Sequence, residues 1–156
     1  MANIRALDKS LKHVDNAIAS AIKGFEITLQ SIPGIGPVYA AGIFGEIGDI
    51  SRFQKEEQLA RYAGLAWRKN QSGEFEGDET PLMRSANAYL RYYLVEAANS
   101  VRNHEPSYRA FYKKKYNEVS RHQHKRALVL TARKLVRLIW ALLSRGEIYQ
   151  HKKGNP

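Results

Sequence analysis

Apolar residues recur at helical spacing along most of the chain, and this pattern predicts an all-α protein. Over residues 3–30 they follow alternating steps of three and four, as expected for one long helix with a narrow apolar seam. The seam consists of Ile4, Leu7, Leu11, Val14, Ile18, Ala21, Phe25 and Leu29. It favours a coiled-coil arm that makes the chain a homo-oligomer. The alternative is a helix that packs along the body of its own chain.

The same periodicity predicts a C-terminal helical bundle. Its helices are expected over residues 83–102, 107–119 and 121–144, with Gly146 as a C-terminal stop. The predicted organisation is a helical arm over residues 1–30, a domain over residues 31–148 and a flexible tail over residues 149–156.

A turn rich in glycine and proline, Pro33-Gly34-Ile35-Gly36-Pro37, separates the arm from a short helix. Glycine permits the backbone conformations of a tight hairpin, and Pro37 suits the first turn of the helix that follows. This is the pattern of a helix-hairpin-helix, in which N–H groups at a helix N-terminus bind a phosphate. The alternative is an ordinary turn between two core helices.

Residues 65–81 interrupt the helical pattern and predict a loop or small hairpin, the one irregular insertion in the fold. Ser72 lies in this loop beside a glycine, with Arg68 and Lys69 before it. A serine becomes a nucleophile only where its surroundings stabilise the alkoxide, so on local chemistry a turn residue is the simpler interpretation. The acidic residues at positions 74–79 are interpreted as a solvated loop, and no metal site is expected in this chain.

Positive charge is concentrated in the last third of the chain. Residues 1–100 hold 11 Lys and Arg against 12 Asp and Glu, whereas residues 101–156 hold 14 against 3, in a chain of net charge +10. A local excess of this kind indicates a polyanion, most often a nucleic acid. An anionic membrane surface and a solvated basic face are the alternatives.

Several classes of protein are excluded by composition. The chain has no cysteine, so disulfides and thiolate metal sites are absent. Its first residues are charged throughout, unlike a secretory signal, and no window is long and apolar enough to span a membrane. A cytoplasmic location is therefore expected.

Three motifs, in this order and spacing, give the chain a resemblance to a known family. They are SIPGIGPVYAAGIFGEIGDISRF at 31–53, LARYAGLAWRKNQSGEF at 59–75 and RSANAYLRYYLVEAANSVR at 84–102. Together they resemble the C-terminal transposase domain of the one-hundred-ten family of bacterial insertion-sequence transposases. That family includes bridge-RNA-guided recombinases and is related to Piv-type DNA invertases.

The resemblance implies a function in DNA transposition or site-specific recombination. In the family, a serine in a Ser-Gly loop attacks a DNA phosphodiester and links the protein covalently to DNA; Ser72 matches that serine, and Ser85 is the competing candidate. The resemblance also implies Mg²⁺, bound by a separate RuvC-like domain. Only the helical arm precedes the hairpin here, so we expect an excised domain, a remnant or a separately encoded half, with no cofactor in this chain.

The expected partner is DNA, with a guide RNA as a further partner in the RNA-guided members of the family. Catalysis is assigned to Ser72, with Arg84 and Arg91 beside the phosphate. The predicted nucleic-acid contacts are Gly34, Gly36, Arg68, Lys69, Lys113, Lys114, Arg121, Lys125, Arg126, Arg133 and Lys134. Tyr108, Tyr112 and Tyr116 are candidates for base stacking or for core packing. The alternative function is a non-catalytic helix-hairpin-helix binding module or a truncated transposase remnant.

Overall fold

Helices dominate the computed structural model, which describes residues 2–21, 27–66, 71–72, 75–76 and 86–151. The helices are α1 (Ala2–Ala21), α2 (Ile27–Gln30), α3 (Pro37–Ile47), α4 (Glu56–Tyr62), α5 (Ala88–His104), α6 (Pro106–Asn117) and α7 (Gln123–Arg145). A 3₁₀ turn spans Ile50–Arg52, and an antiparallel hairpin pairs β1 (Gln71–Ser72) with β2 (Phe75–Glu76). The predicted all-α class is confirmed, and the small hairpin lies in the predicted insertion.

Helix α5 begins later than the apolar pattern predicts. Residues 83–85 lie outside the described part of the chain, while Ala86 and Asn87 are described and are not helical. The Asn87 side chain accepts a hydrogen bond from the N–H of Leu90 at 2.9 Å and so caps the helix. The predicted helical start at Met83 is therefore wrong for residues 86 and 87, because the capping bond requires a non-helical residue at Asn87.

The first four residues of the α1 seam remain exposed. Helix α1 contacts α3, but Ile4, Leu7, Leu11 and Val14 remain 53–64% exposed. Packing along the body is therefore the wrong interpretation for these four residues. The expectation of one continuous helix over 3–30 also involves residues 22–26, which lie outside the described residues.

Two glycines bring the hairpin and α3 against α5. Gly34 has φ +96°, and a Cβ added there would lie 2.9 Å from both Cα and N of Val101. A Cβ on Gly42 would lie 2.5 Å from the ring of Tyr93. Glu46, near the end of α3, bonds Asn87, just before α5. Later residues of the hairpin and α3 therefore contact earlier residues of the α5 region. The two helices are therefore antiparallel, and backbone touches backbone at Gly34.

The core lies where α5 and α7 pack together with α3, α4 and α6. Its largest fully buried side chains are Leu29, Ile32, Ile43, Ile47, Leu59, Leu65, Leu90, Leu94, Val101, Leu135, Val136 and Ile139. Trp140 donates its indole N–H to the carbonyl of Phe53 at 2.9 Å, which ties α7 to the start of the α4 region. The apolar faces predicted for the C-terminal helices are thus packed into this core.

An ion pair ties α4 to α7. Glu56 accepts hydrogen bonds from Arg133 and, at 3.2 Å, from Arg137. Its side chain is only 12% exposed. Burial acts to raise the pKa of Glu56, but the hydrogen bonds and charges of the two arginines outweigh it and lower the pKa from its ordinary value of 4.5.

The first residues of the expected flexible tail contact the body. Tyr149 donates its N–H to Ser31 Oγ at 2.7 Å, and His151 Nδ1 lies 2.9 Å from Glu105 Oε2. The last five residues, 152–156, lie outside the described residues. No helix in the described ranges has both the length and the apolar character needed to cross a membrane.

The Gly34→Ala substitution is expected to lower the free energy of unfolding by about 2–4 kcal/mol, because it combines positive φ with overlap against the Val101 backbone. Urea denaturation provides the measurement. Gly36→Ala is the matched control: Gly36 has φ −83° and no atom within 4 Å of an added Cβ. Its expected cost is below about 1 kcal/mol. Equal losses in the two variants would contradict the close approach at Gly34.

Replacing Glu56 with glutamine is expected to cost about 1–3 kcal/mol of unfolding free energy at neutral pH, since it removes one partner of a largely buried pair. A depressed pKa in the folded protein stabilises it above the unfolded value of 4.5, and that contribution is lost as pH falls through the folded pKa. The deficit of the variant should therefore shrink as the pH is lowered below 4.5.

Unfolding midpoints measured along a pH series test this expectation. Glu57→Gln removes an exposed carboxylate from the same helix turn and serves as the control. A Glu56→Gln deficit that stays constant from neutral to acidic pH would show that the ion pair is not its cause.

Candidate nucleic-acid interface and nucleophile loop

The end of α6 and the start of α7 meet in a corner that spans residues 113–126. The Tyr112 hydroxyl lies 2.7 Å from His124 Nδ1, and Gln123 donates to the carbonyl of Tyr116 at 3.2 Å. His122, at φ 51°, turns the chain into α7. These bonds fix the two helices against each other, and we call this region the basic corner.

Four cations of the basic corner are exposed: Lys113, Lys114, Arg121 and Lys125. Within the described residues none of them forms an ion pair. A corner with several unneutralised cations attracts a polyanion. The structure therefore brings these four predicted contacts together on one feature.

Arg126 belongs to the same corner but is partly neutralised. It bonds Glu118 at 3.2 Å, and Glu118 also pairs with Lys115 at 2.7 Å. The hydrogen bond from Lys115 is the largest cause of the lowered pKa of Glu118, so this carboxylate stays ionised between the two cations. Arg126 remains 41% exposed and can still reach solvent.

Arg133 and Lys134, also predicted as contacts, are engaged inside the fold. Arg133 is 21% exposed and bonds Glu56. The ammonium of Lys134 lies 4.5 Å and 4.8 Å from the ring centroids of Tyr108 and Phe111. Burial lowers the pKa of Lys134, and the nearby carboxylate of Glu105 opposes that shift. Arg133 is thus held by an ion pair and Lys134 by two aromatic rings.

The three tyrosines predicted for stacking or packing differ in burial. Tyr108 is 4% exposed and belongs to the core, so base stacking is the wrong interpretation for this residue. Tyr112 is half-buried, with the guanidinium of Arg102 4.3 Å from its ring centroid. Tyr116 lies 6.0 Å from the ring of Tyr112.

The hairpin residues Gly34 and Gly36 have different surroundings. Gly34 is partly buried against α5, as described above, whereas Gly36 is exposed and extended at the N-terminus of α3. The carbonyl of Gly36 accepts the first helical bond, from Ala40 at 3.0 Å. The N–H groups of the first turn have no intrahelical acceptor, which is the geometry that binds anions.

Ser72 lies on β1, where its backbone pairs with Phe75. Its side chain is outside the described part of the structure, as are Arg68, Lys69 and Arg84. The catalytic grouping of Ser72 with Arg84 and Arg91 therefore stays a prediction.

Both ends of the Ser72 loop are anchored at the end of α4. On the entering side, the N–H of Leu65 bonds the carbonyl of Ala60 at 2.8 Å. On the returning side, the N–H of Asn87 bonds the carbonyl of Tyr62 at 2.9 Å. The chain thus departs from the described scaffold after residue 66 and rejoins it at residue 86, beside the same helix end. We call this place, formed by Ala60, Tyr62, Leu65 and Asn87, the loop base.

Asn87 is the centre of the loop base. Its amide donates to Glu46 Oε2 at 2.7 Å and to the Tyr62 hydroxyl at 3.2 Å, while its carbonyl oxygen caps α5. One side chain thereby joins α3, α4 and α5 where the loop returns. Sequence reasoning missed this role, although an asparagine just before an apolar periodic segment is a known helix-start signal.

Two cations lie near the loop base. Arg91 is half-buried on α5, one turn beyond Asn87, and no acid in the described residues pairs with it. The Arg52 guanidinium lies 4.9 Å and 4.7 Å from the ring centroids of Phe53 and Tyr62. Sequence reasoning included Arg91 and missed Arg52, whose position depends on tertiary contact with Tyr62.

Known proteins resemble this chain over most of its length. The transposase for insertion sequence element IS1111A of Coxiella burnetii is 32% identical over 125 residues, which cover 78% of this chain and 34% of that protein. The IS900 uncharacterized 42 kDa protein of Mycobacterium paratuberculosis is 31% identical over 150 residues, or 94% of this chain and 37% of that protein. A pilin gene-inverting protein of Moraxella lacunata is 30% identical over 148 residues, or 90% and 45% respectively.

The chain therefore spans between a third and a half of the length of these curated relatives. A profile of the Transposase IS116/IS110/IS902 family matches residues 27–113. The matched stretch is more than half of the chain and includes the hairpin, the loop base, Ser72 and α5. The predicted resemblance is confirmed, and the chain belongs to the Transposase IS116/IS110/IS902 family.

Proposed function

We propose that this chain is a DNA-binding domain of a transposase or site-specific recombinase, acting in the cytoplasm, and that it supplies Ser72 as the nucleophile for strand cleavage. The observation that carries the proposal is the family match over residues 27–113, which contains the Ser72 loop. The anchored loop base supports it, because catalytic residues commonly lie on loops positioned by a rigid scaffold.

The proposed step is a transesterification. Ser72 Oγ forms a bond to phosphorus while the bond from phosphorus to one bridging deoxyribose oxygen breaks. The serine hydroxyl gives up its proton, and the departing oxygen takes up a proton. Negative charge builds on the non-bridging oxygens, and Arg91, together with Arg84, would stabilise that charge.

The described residues offer no group of three or more His, Asp or Glu that could hold a metal ion. The Mg²⁺ expected for the family is assigned to its RuvC-like domain, and no step of this proposal passes through a metal bound by the described residues. The chain's own contribution is the nucleophile, its positioning and charge at the phosphate.

DNA binding is assigned to the basic corner. Lys113, Lys114, Arg121 and Lys125 would contact phosphates in a sequence-independent and salt-sensitive way. The N-terminus of α3 at Gly36 would hold a further phosphate. In this proposal Arg133 and Lys134 stabilise the fold, and the exposed cations bind the nucleic acid.

We also propose that α1 pairs with the α1 of a second copy. The four seam residues Ile4, Leu7, Leu11 and Val14 stay exposed at coiled-coil spacing. Pairing of two such seams would remove this apolar surface from water.

The nucleophile is tested by Ser72→Ala in a cleavage reaction to which the RuvC-like domain of the family is supplied. Loss of the hydroxyl is expected to remove the detergent-resistant protein–DNA adduct and to slow strand transfer by on the order of 10³-fold or more. Ser85→Ala, the competing serine, is the control and should keep the adduct. An adduct that survives Ser72→Ala would refute the assignment, and the non-catalytic binding module would then describe the chain better.

Charge at the basic corner is tested by replacing Lys113, Lys114 and Lys125 with alanine. Removing one cation that binds a phosphate should reduce the slope of log K against log salt by about 1, so a total reduction of up to about 3 is expected for duplex DNA. Fluorescence anisotropy at a series of salt concentrations measures the slope. The control replaces Arg5, Lys9 and Lys12, which are exposed on α1 and carry the same total charge. Equal slopes in the two variants would show that net charge alone drives binding.

A further inference from the structure

Two tyrosines at the start of α5 are exposed in a way that packing does not explain. Tyr89 is 71% exposed and Tyr92 is 59% exposed. Among the described residues they are the aromatic side chains that present more than half of their surface to solvent. Core formation therefore gives no reason for an aromatic ring at either position.

The two rings form a supported pair on one face of α5. Residues three apart on a helix are neighbours, with Cβ atoms about 5–6 Å apart. The Tyr92 ring also meets the ring of Tyr93 edge-on, with centroids 5.4 Å apart and an interplanar angle of 66°. Tyr93 in turn lies over Gly42 of α3. These contacts hold Tyr92 against Tyr93, which packs on α3, while most of the Tyr92 surface stays exposed.

The pair lies beside the loop base. Tyr89 follows Asn87 by two residues, and Asn87 is bonded to both α3 and α4. The chain that carries Ser72 returns to the scaffold at this point. Tyr89 and Tyr92 therefore lie within two helical turns of the residue at which the chain rejoins the described scaffold.

The rest of this face argues against an apolar protein partner. At helical spacing beyond Tyr92 lie Glu96, Asn99 and Asn103, so the two rings do not extend into a continuous apolar patch. Separate flat rings in polar surroundings suit nucleobases, since every base has a π-face that stacks on an aromatic side chain. Arg91 precedes Tyr92 and pairs with no acid in the described residues, so it supplies positive charge near the two rings.

We propose that Tyr89 and Tyr92 stack on unpaired bases of the DNA that this domain binds. This inference rests on the proposed function and assigns it a second surface, separate from the basic corner. Bases inside a duplex present no free face, so the tyrosines act on single-stranded or locally unpaired DNA. Stacking adds affinity without neutralising phosphates, and it therefore leaves the salt dependence unchanged.

The test compares binding of oligothymidylate, of oligouridylate RNA and of a matched DNA duplex by the whole chain. Tyr89→Ala with Tyr92→Ala is expected to weaken oligothymidylate binding about 10- to 100-fold, since stacking contributes about 1–3 kcal/mol per base. Duplex binding and the salt slope should stay unchanged. The double Tyr→Phe variant should bind like the wild type, while the double Tyr→Leu variant should bind like the alanine variant.

Ile148→Ala is the control for loss of an exposed apolar side chain, because Ile148 is 55% exposed and lies beyond α7. It should leave both affinities unchanged. Thermal unfolding should be similar in all variants, since neither tyrosine is buried. As a direct readout, photo-crosslinking of a strand containing 5-iodouracil should place the adduct on Tyr89 or Tyr92.

The outcomes separate this inference from the function on which it rests. If duplex binding depends on the basic corner but oligothymidylate binding is unchanged in the tyrosine variants, the inference alone is wrong. Duplex binding that ignores the basic corner would overturn the proposed DNA interface. If the double alanine variant lost affinity only for oligouridylate RNA, the two tyrosines would bind RNA, and the assignment to DNA would be wrong.

Discussion

The contact between Gly34 and the backbone of Val101 is the constraint on which the arrangement of this domain depends. Only a residue without a side chain fits there, and only glycine readily adopts φ +96°. This contact sets the distance between the hairpin and α5. Gly42, under the Tyr93 ring, lets α3 also lie close to α5. Glu46 bonded to Asn87 then closes the far end of the α3–α5 pair. The helix pair is thus held at both ends and in the middle.

That helix pair also builds the platform for the proposed chemistry. Asn87 joins the ends of α3 and α4 to the start of α5, and the Ser72 loop leaves and returns beside it. A nucleophile must be positioned to within a fraction of an ångström, and an anchored loop base reduces the conformations that the loop can adopt. Packing at Gly34 and the loop base at Asn87 therefore belong to one structural unit.

The basic side chains of this protein divide between contacts inside the fold and exposed positions. Arg133 and Lys134 neighbour the basic corner in sequence, yet they are used by Glu56 and by the rings of Tyr108 and Phe111. Lys113, Lys114, Arg121 and Lys125 keep their charge exposed. Aromatic residues divide in the same way: Tyr108 is buried, whereas Tyr89 and Tyr92 face solvent. Residue type alone cannot separate the two uses, because both need the same side chains.

The sequence by itself determined the all-α class, the glycine turn before Pro37, the interruption that contains Ser72, the basic C-terminal third and the family. Each of these depends on local spacing, backbone restriction or an ordered set of motifs, which a linear pattern preserves. Tertiary structure alone decided that Asn87 bonds Glu46, 41 residues away, and that Arg133 pairs with Glu56 across 77 residues. It also decided that Ile4, Leu7, Leu11 and Val14 of α1 and the Tyr89–Tyr92 pair stay exposed. Periodicity shows which face of a helix is apolar, but which partner covers that face depends on contacts between residues far apart in the chain.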